Sequence, residues 1–143
     1  MFNRREIMFK WQENYSCGIQ EIDRQHQRLF EIGKQIYDTA SLNDECDHYD
    51  ELTQTLNELV EYTKYHFGYE EALMEKYNYP DYATHKFEHD FFIKKVLKIA
   101  GKDFEENQNQ TMMEIVRFVA DWVAGHILDT DMKYRECLIQ NGE

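Results

Sequence analysis

The sequence predicts an all-α protein: an antiparallel up-down-up-down four-helix bundle with an N-terminal aromatic-containing arm and a short C-terminal helix. Its 143 residues suffice for one domain with a substantial core. Six glycines and one proline are few for an all-β protein, which needs frequent turns. In four segments, apolar residues recur at steps of three and four, as on one face of a helix. We therefore expect residues 1–143 to form a single domain, with the arm at 1–18 and the bundle and C-terminal helix at 19–138.

The first two predicted helices include polar residues on their otherwise apolar faces. The first helix spans about 19–40, and its inward positions are Ile22, His26, Leu29, Gly33 and Ile36. The second spans about 44–77, and its inward positions are Leu52, Leu56, Leu59, Thr63, His66, Glu70 and Leu73. The residues that follow, Asn78, Tyr79 and Pro80, are of types that end a helix. One histidine from the first helix, and a histidine and a glutamate from the second, are thus expected to face the core.

The third and fourth predicted helices contribute three further inward histidines. The third helix follows Asp81 and runs to about residue 101, and its inward positions are His85, His89, Phe92, Val96 and Ile99. Thr111 and Glu114 have the spacing of a capping box, which predicts the start of the fourth helix. The inward positions of that helix are Ile115, Val119, Trp122 and His126. The aromatic residues of the arm are expected to cover the bundle, and they are Phe9, Trp11 and Tyr15.

The net charge of -12 argues against partners that carry many negative charges. Nucleic acids and anionic membrane surfaces are bound largely through lysine and arginine, so neither is an expected partner. There is no run of about eighteen apolar residues, and the start of the chain lacks the features of a signal peptide. A cytoplasmic protein is therefore expected, and we take it to be a monomer. Cys17, Cys46 and Cys137 are odd in number and widely spaced, which indicates reduced thiols rather than a disulfide framework.

The inward polar residues are expected to meet at one level of the bundle. In an up-down-up-down bundle, the start of one helix lies beside the end of the next. With about 1.5 Å of rise per residue, the distances of these residues from the helix ends agree within about two turns. They lie near the start of the first and third helices and near the end of the second and fourth: His26, His66, Glu70, His85, His89 and His126.

Five inward histidines at one level indicate a metal site. A single histidine on an apolar helix face is usually a hydrogen-bonded core residue, but five imidazoles together would repel when protonated and lack partners when neutral. Five imidazoles exceed the ligands of one zinc ion, and carboxylates can bridge two ions. Two octahedral ions with five histidines, two bridging carboxylates and a shared oxide or hydroxide keep one position open. This donor set favours iron and O2 chemistry, although spacing alone does not exclude copper or manganese.

Two other features of the histidine pattern have different explanations. Residues 85–89 match the H-x-x-E-H motif of the inverted zinc peptidases, in which the glutamate is the general base. A peptidase site would leave the other three inward histidines buried without a role, and Glu88 lies beside the inward face rather than on it. His48, in the polar start of the second helix, is expected to be solvated.

The sequence closely resembles the hemerythrin family, in particular the single-domain bacteriohemerythrins, over nearly its whole length. The residues that carry the resemblance are Trp11, Gly18-Ile19, Ile22-Asp23-Arg24-Gln25-His26, His66-x-x-x-Glu70, His85-x-x-x-His89, and His126-Ile127-x-x-x-Asp131 followed by Tyr134. The resemblance implies that His85, His89 and His126 bind one iron and that His26 and His66 bind the other. Glu70 and Asp131 would bridge the two Fe ions together with an oxide or hydroxide.

The resemblance also implies that O2 binds reversibly, on the iron with two histidines, for storage, delivery or scavenging. Trp122, Val123 and Ile127 are similar to the apolar lining of the family's O2 pocket, and a role as ordinary core residues is equally open. Ferritin-like di-iron enzymes use mostly carboxylates, so their reduced clusters are nearly neutral, whereas this cluster would stay positive and favour binding over catalysis. The protein would then not be an enzyme. The alternatives are a di-iron enzyme that turns over peroxide or nitric oxide, and O2 or redox sensing through a partner protein.

Helical spacing and the resemblance select different residues as the second carboxylate. In an unbroken α-helix, Asp129 would share the face of His126, whereas Asp131 would be rotated by roughly 140°. The resemblance selects Asp131, which can reach the irons only if the helix ends or bulges between Ile127 and Thr130. Aspartate and threonine are residue types that favour such an irregularity. We therefore predict Asp131 as the bridging ligand, with irregular backbone before it.

Overall fold

The computed structural model describes residues 10–42, 48–100 and 108–140. These residues are mostly helical, and no strand occurs among them. A short 3-10 turn at Glu13–Tyr15 precedes four long helices, which are α1 (Gln20–Ala40), α2 (Tyr49–Lys76), α3 (Tyr82–Ala100) and α4 (Gln108–Gly125). A π-helical turn at His126–Asp131 then leads into α5 (Met132–Gln140). The predicted all-α class and the predicted C-terminal helix are confirmed.

The four long helices form the predicted antiparallel bundle. α1 packs against α2 and α4, and α3 packs against the same two helices. Each helix therefore has two neighbours, and its apolar face is turned toward a shared interior. The inward positions predicted from the spacing of three and four are buried, apart from Trp122, which is partly exposed.

The junction between α2 and α3 ends one helix sharply and starts the next beside it. After α2, Asn78 adopts the left-handed conformation with a φ of 54°. The N–H of Asn78 donates to the carbonyl of Glu75 (3.2 Å), and the N–H of Tyr79 donates to the carbonyl of Met74 (2.9 Å). These bonds form a Schellman cap, which satisfies the last carbonyls of α2, and Pro80 cannot continue the helix. The end of α2 and the start of α3 therefore lie at the same level.

The interior consists of two apolar clusters with a polar layer between them. The larger cluster draws on all four long helices and includes Leu59, Val96 and Ile115. The smaller cluster lies toward the start of α1. Along α1, Leu29 belongs to the larger cluster and Ile22 to the smaller one, with a buried histidine between them.

The described part of the arm covers the bundle, as predicted. The rings of Trp11 and Tyr15 pack against Phe30, with centroids 5.8 and 5.3 Å from its own. The predicted capping box at Thr111 is wrong as a helix start, because α4 already begins at Gln108 and Thr111 is buried on its inner face. The Thr-x-x-Glu spacing can occur inside a helix as well as at its start. Only the packing of the threonine side chain shows which of the two positions it occupies.

Some predictions concern residues outside the described ranges. Phe9, Cys46 and the predicted start of the second helix at 44–47 are among them. Cys17 and Cys137 are thiols, as predicted. Burial raises the pKa of the Cys17 thiol to about 12, so this thiol stays protonated. None of the described helices is both long and apolar enough to cross a membrane.

Candidate metal centre

Seven histidine and acidic side chains converge in the polar layer, and each of them is at most 7% exposed. They come from three of the four long helices and from the turn after α4: His26 from α1, His66 and Glu70 from α2, His85 and His89 from α3, and His126 and Asp131 from the π-helical turn. The structure thus brings together all seven residues that the sequence analysis assigned as metal ligands. Their role as ligands stays a prediction.

The seven side chains form two groups that share one carboxylate. In the three-histidine group, one candidate ligand atom per residue lies within 4.8 Å of all the others, and the members are Glu70, His85, His89, His126 and Asp131. The two-histidine group meets the same limit with His26, His66 and Glu70. Asp131 also reaches the second group, since its Oδ2 lies 3.1 Å from Nε2 of His26. Both carboxylates are therefore within reach of both groups.

The imidazoles of the three-histidine group turn their Nε2 atoms toward one another and toward a carboxylate. Nε2 of His126 lies 3.1 Å from Nε2 of His85 and 3.1 Å from Nε2 of His89. Nε2 of His85 also lies 2.9 Å from Oδ1 of Asp131. Each neutral imidazole has one N–H and one lone pair, so three nitrogens this close compete for few protons. A shared cation would accept all three lone pairs at once.

Burial and charge act in opposite directions on the pKa values of this layer. Burial alone would lower the pKa of His26 and His85, but the nearby carboxylates of Asp131 and Glu70 outweigh it and raise both pKa values to about 9. Burial prevails at His66 and lowers its pKa despite Glu70. At Glu70 and Asp131, burial acts to raise the pKa of the carboxyl group, and the charge of Glu70 acts in the same direction on Asp131. The surrounding histidines outweigh these effects and hold both pKa values below the ordinary range. The carboxylates are therefore ionised and attract positive charge.

Several buried oxygen atoms of the layer have no hydrogen-bond partner among the described residues. They are Oε2 of Glu70 and both carboxylate oxygens of Asp131. The Asp131 oxygens lie 2.9 to 3.1 Å from three imidazole nitrogens, but not in directions that allow hydrogen bonds. Buried polar groups are nearly always satisfied, so these atoms need another partner. Five imidazoles and two carboxylates are a nitrogen-rich donor set that fits a pair of iron ions.

The π-helical turn explains how Asp131 reaches the polar layer. In a π-helix each N–H bonds to the carbonyl five residues earlier, so residues five apart share a face. His126 and Asp131 span such a turn, and Oδ1 of Asp131 lies 3.1 Å from Nε2 of His126. Asp129, which regular helical spacing favours, has 78% of its side chain exposed. The predicted irregular backbone is confirmed, and Asp131 rather than Asp129 lies in the layer.

Two polar side chains contact site histidines from behind, and the sequence analysis assigned no role to either. Oε1 of Gln25 lies 2.7 Å from Nδ1 of His66, and Oε2 of Glu71 lies 2.9 Å from Nδ1 of His89. Contacts of this kind fix an imidazole ring so that its other nitrogen faces the site. Each of the two residues directly neighbours a candidate ligand in the sequence, which is the one signal that could have identified it.

Aromatic rings cover the three-histidine group. Phe67 stacks on His89 with ring centroids 3.8 Å apart, and Trp122 stacks on His126 at 4.3 Å. No role for Phe67 was predicted from the sequence, because its position beside His66 does not reveal which ring it covers. Val123 and Ile127 are buried in the same apolar cluster as Phe67. Trp122 thus lies against a site histidine, with Val123 and Ile127 in the adjoining apolar cluster, and the role of all three as the lining of an O2 pocket stays a prediction.

Two further residues weighed in the sequence analysis lie outside the group of ligand atoms. Glu88 is behind His126, with its Oε2 3.6 Å from Nδ1, and does not face the Nε2 atoms. This placement argues against the zinc-peptidase interpretation. His48 lies at the start of α2, 3.4 Å from Glu51, with 11% of its side chain exposed. It is therefore less solvated than predicted, and it is not part of the polar layer.

Known proteins resemble this chain over most of its length. The family model described as the hemerythrin HHE cation binding domain matches residues 17–138. A bacteriohemerythrin of Clostridium acetobutylicum is 37% identical over 127 residues, which cover 89% of this chain and 98% of that protein. A bacteriohemerythrin of Methylococcus capsulatus is 34% identical over 116 residues, with 81% and 85% covered. A crystal structure of wild-type hemerythrin matches with a TM-score of 0.76 at 32% identity and covers 90% of this chain and 96% of its own.

Proposed function

This chain belongs to the hemerythrin family, and from that premise we propose that it binds O2 reversibly at a non-haem di-iron site in the polar layer. Its role is storage, delivery or scavenging of O2 rather than catalysis. One observation carries the proposal: five imidazoles and two carboxylates are buried together in a layer where carboxylate oxygens lack hydrogen-bond donors. Such a layer is stable only with cations in it.

Each of the two groups of side chains suits one iron. The three-histidine group would hold one ion and the two-histidine group the other, with Glu70 common to both groups. Asp131 faces His26 on one side and His85 on the other, which suits a second bridge. An oxide or hydroxide would complete the bridge between the ions. The two-histidine position has fewer protein ligands, so it is the position with a place for O2.

The charge of the donor set favours binding over oxygenation. When bound, two ferrous ions supply the electrons and the open coordination position that O2 needs. The seven side chains contribute only two negative charges, Glu70 and Asp131, whereas ferritin-like di-iron enzymes use mostly carboxylates. A site that stays positive disfavours the high-valent states needed to cleave the O–O bond.

Apolar side chains keep water away from the site. Trp122 and Ile127 lie on either side of His126 in the chain, and Ile127 is 1% exposed. Exclusion of water slows irreversible oxidation of a reduced metal pair. Ile127→Ala should therefore reduce the number of cycles between argon and air over which the O2-dependent colour still returns. Val96→Ala, a comparable truncation roughly 10 Å from His89 along α3, should leave that number of cycles unchanged.

Repeated cycling with O2 tests the proposed function. The protein is loaded anaerobically with ferrous iron, exposed to O2 and purged with argon, with zinc-loaded protein as the control. A visible charge-transfer band should form with O2 and fade under argon over several cycles, and the zinc form should stay colourless. If O2 instead converts the site irreversibly, while peroxide or nitric oxide is consumed catalytically, the protein is a di-iron enzyme and the proposal is wrong.

The single-domain organisation, the cytoplasmic location and the monomeric state stay predictions from the sequence. Size-exclusion chromatography with light scattering tests the monomer directly. A mass near 17.4 kDa is the expected result.

A further inference from the structure

The outer nitrogens of two site histidines contact side chains of different charge. In the two-histidine group, Nδ1 of His66 faces the neutral amide of Gln25 at 2.7 Å. In the three-histidine group, Nδ1 of His89 faces the carboxylate of Glu71 at 2.9 Å. Both distances are those of good hydrogen bonds, so both rings are held firmly. The two groups therefore differ in charge behind the ring and not in how well the ring is fixed.

The orientation of the Gln25 amide is determined by a second contact. Its Nε2 donates to Oε1 of Glu21 at 2.9 Å, and that carboxylate is in turn held by Arg24 at 2.6 Å. The amide oxygen must then face His66, which makes Nδ1 of His66 the donor. Nε2 of His66 is left with its lone pair toward the site. Gln25 thus fixes the tautomer of His66 and adds no charge of its own.

Glu71 fixes the tautomer of His89 in the same way and adds a negative charge. Its side chain is 18% exposed, and the cationic side chain of Lys86 lies near it, with Nζ 3.8 Å from Oε1. Lys86 is nearer to Asp90, at 3.4 Å, and half exposed, so it screens Glu71 only partly. A second carboxylate, Glu88, lies 3.6 Å from Nδ1 of His126 in the same group. The three-histidine group is thus the one with carboxylates behind its rings.

We propose that Glu71 and Gln25 are positioning residues that fix the order of metal loading, so that the three-histidine position fills first and the two-histidine position second. A carboxylate behind an imidazole increases the donor strength of the ring, and loss of such a partner lowers metal affinity about 10–100-fold. An amide orients the ring without this increase. The three-histidine position also has one more imidazole. The inference rests on the proposed di-metal site and adds to it a loading order and a stable form with one ion.

Titration of the metal-free protein with Co(II) alone, followed by proton NMR, tests the order. Each ligating imidazole keeps one N–H, on Nδ1, and a bound Co(II) shifts that proton strongly. The Nδ1 atoms of His26, His85 and His126 are buried, so these protons exchange slowly enough to be counted. One equivalent of Co(II) should give three shifted exchangeable signals, from His85, His89 and His126. A second equivalent should add two more.

Variants that exchange a carboxylate and an amide at these two positions identify the cause of the loading order. Glu71→Gln keeps a hydrogen-bond acceptor and should weaken the first binding step about tenfold. Gln25→Glu, made together with Glu21→Gln so that the hydrogen bond between the two side chains is kept, should strengthen the second step, and its combination with Glu71→Gln should give a mixture of signals at one equivalent. Glu61→Gln is the matched control, because it removes the same charge from an exposed site roughly 15 Å away along α2 and should change neither step.

Three outcomes would overturn the inference. Two shifted signals at one equivalent would mean that the two-histidine position fills first. Five shifted signals at half intensity at one equivalent would mean that the two metal positions fill together. Equal affinities for Glu71→Gln and Glu61→Gln would mean that Glu71 does not set the order. In each of these cases two ions still bind, so the proposed di-metal site stands; uptake of a single ion at any concentration would instead refute that site.

Discussion

The polar layer and the larger apolar cluster are built on the same helices and are equally buried, yet they are stabilised in different ways. On α2, Leu59 and His66 are both 1% exposed. Leu59 gains stability from contact with other apolar side chains, which need nothing further. The oxygens of Asp131, in contrast, have no hydrogen-bond donor among the described residues. Burial therefore stabilises the apolar cluster, whereas the polar layer depends on cations.

Protons are the cations available to the metal-free protein. The raised pKa values of His26 and His85, both about 9, show that Glu70 and Asp131 attract protons onto neighbouring imidazoles when no metal is present. Metal ions would replace these protons and bind all five imidazoles. The difference between the two regions predicts that substitutions in the layer act on metal content, whereas substitutions in the apolar cluster act on stability.

The largest expected effect is loss of metal when a histidine of the layer is removed. His66→Ala and His89→Ala should each lower the metal content by at least one ion per chain, because each deletes a predicted ligand of one group. Leu59→Ala should lower the free energy of unfolding by about 2–5 kcal/mol and retain both ions. Metal analysis and chemical denaturation of the three variants measure both quantities. Normal metal content in His89→Ala would show that the two regions do not differ as described.

Two neighbouring aspartates provide a finer test of the same comparison. Asp131→Ala removes a buried carboxylate that faces both groups and should abolish stable O2 binding. Asp129→Ala removes the same group from a position with 78% of its side chain exposed and should leave iron content and O2 binding nearly unchanged. Absorption spectra of the anaerobically loaded variants before and after O2 measure this. The opposite result would show that Asp129 is the ligand and that the π-helical turn does not position the bridge.

The smallest expected effect is a dependence of stability on pH. The pKa of His26 and His85 is raised from about 6.5 to about 9, so these groups stabilise the metal-free fold fully below pH 6.5 and lose that contribution as the pH rises to 9. The pKa values of Glu70 and Asp131 are lowered, so their contributions stay constant in this window. Metal ions need deprotonated imidazoles, so metal affinity rises over the same range.

Thermal denaturation from pH 6.5 to 8.5, with and without two equivalents of metal, measures this dependence. The melting temperature of the metal-free protein should fall as the pH rises, and the increase caused by metal should grow. His48→Ala is the control, because His48 lies outside the polar layer, and it should show the same trend. An increase that is constant across the range would contradict the exchange of protons for metal.

The regular helices could be predicted from the sequence because burial imposes one period on them. Every third or fourth position of α1 must face the core, so His26 follows from Ile22 and Leu29 without knowledge of the fold. Asp131 could not be found in this way, because a π-helical turn changes the period for six residues, and the residue types there favour an irregularity without indicating which aspartate faces the core. Its placement required the resemblance to a family.

Contacts between helices were the part of the site that the sequence could not provide. Gln25 contacts His66 across 41 positions, and Glu71 contacts His89 across 18. The rotation of each helix about its axis decides which side chain reaches the Nδ1 atom of which histidine. The spacing of apolar residues in the sequence fixes that rotation only within a broad range. The start of α4 was missed for a similar reason, since the burial of Thr111 decides whether its hydroxyl can cap a helix.

One layer of this bundle is proposed to hold two iron ions, and counting them is the most direct test. The protein is loaded anaerobically with excess ferrous iron, freed of unbound metal and analysed for iron and for protein. We expect two irons per chain, with two ferrous environments in the Mössbauer spectrum, because the two groups differ by one histidine. One iron per chain, or a single environment, would contradict a di-iron site, as would uptake of zinc in preference to iron.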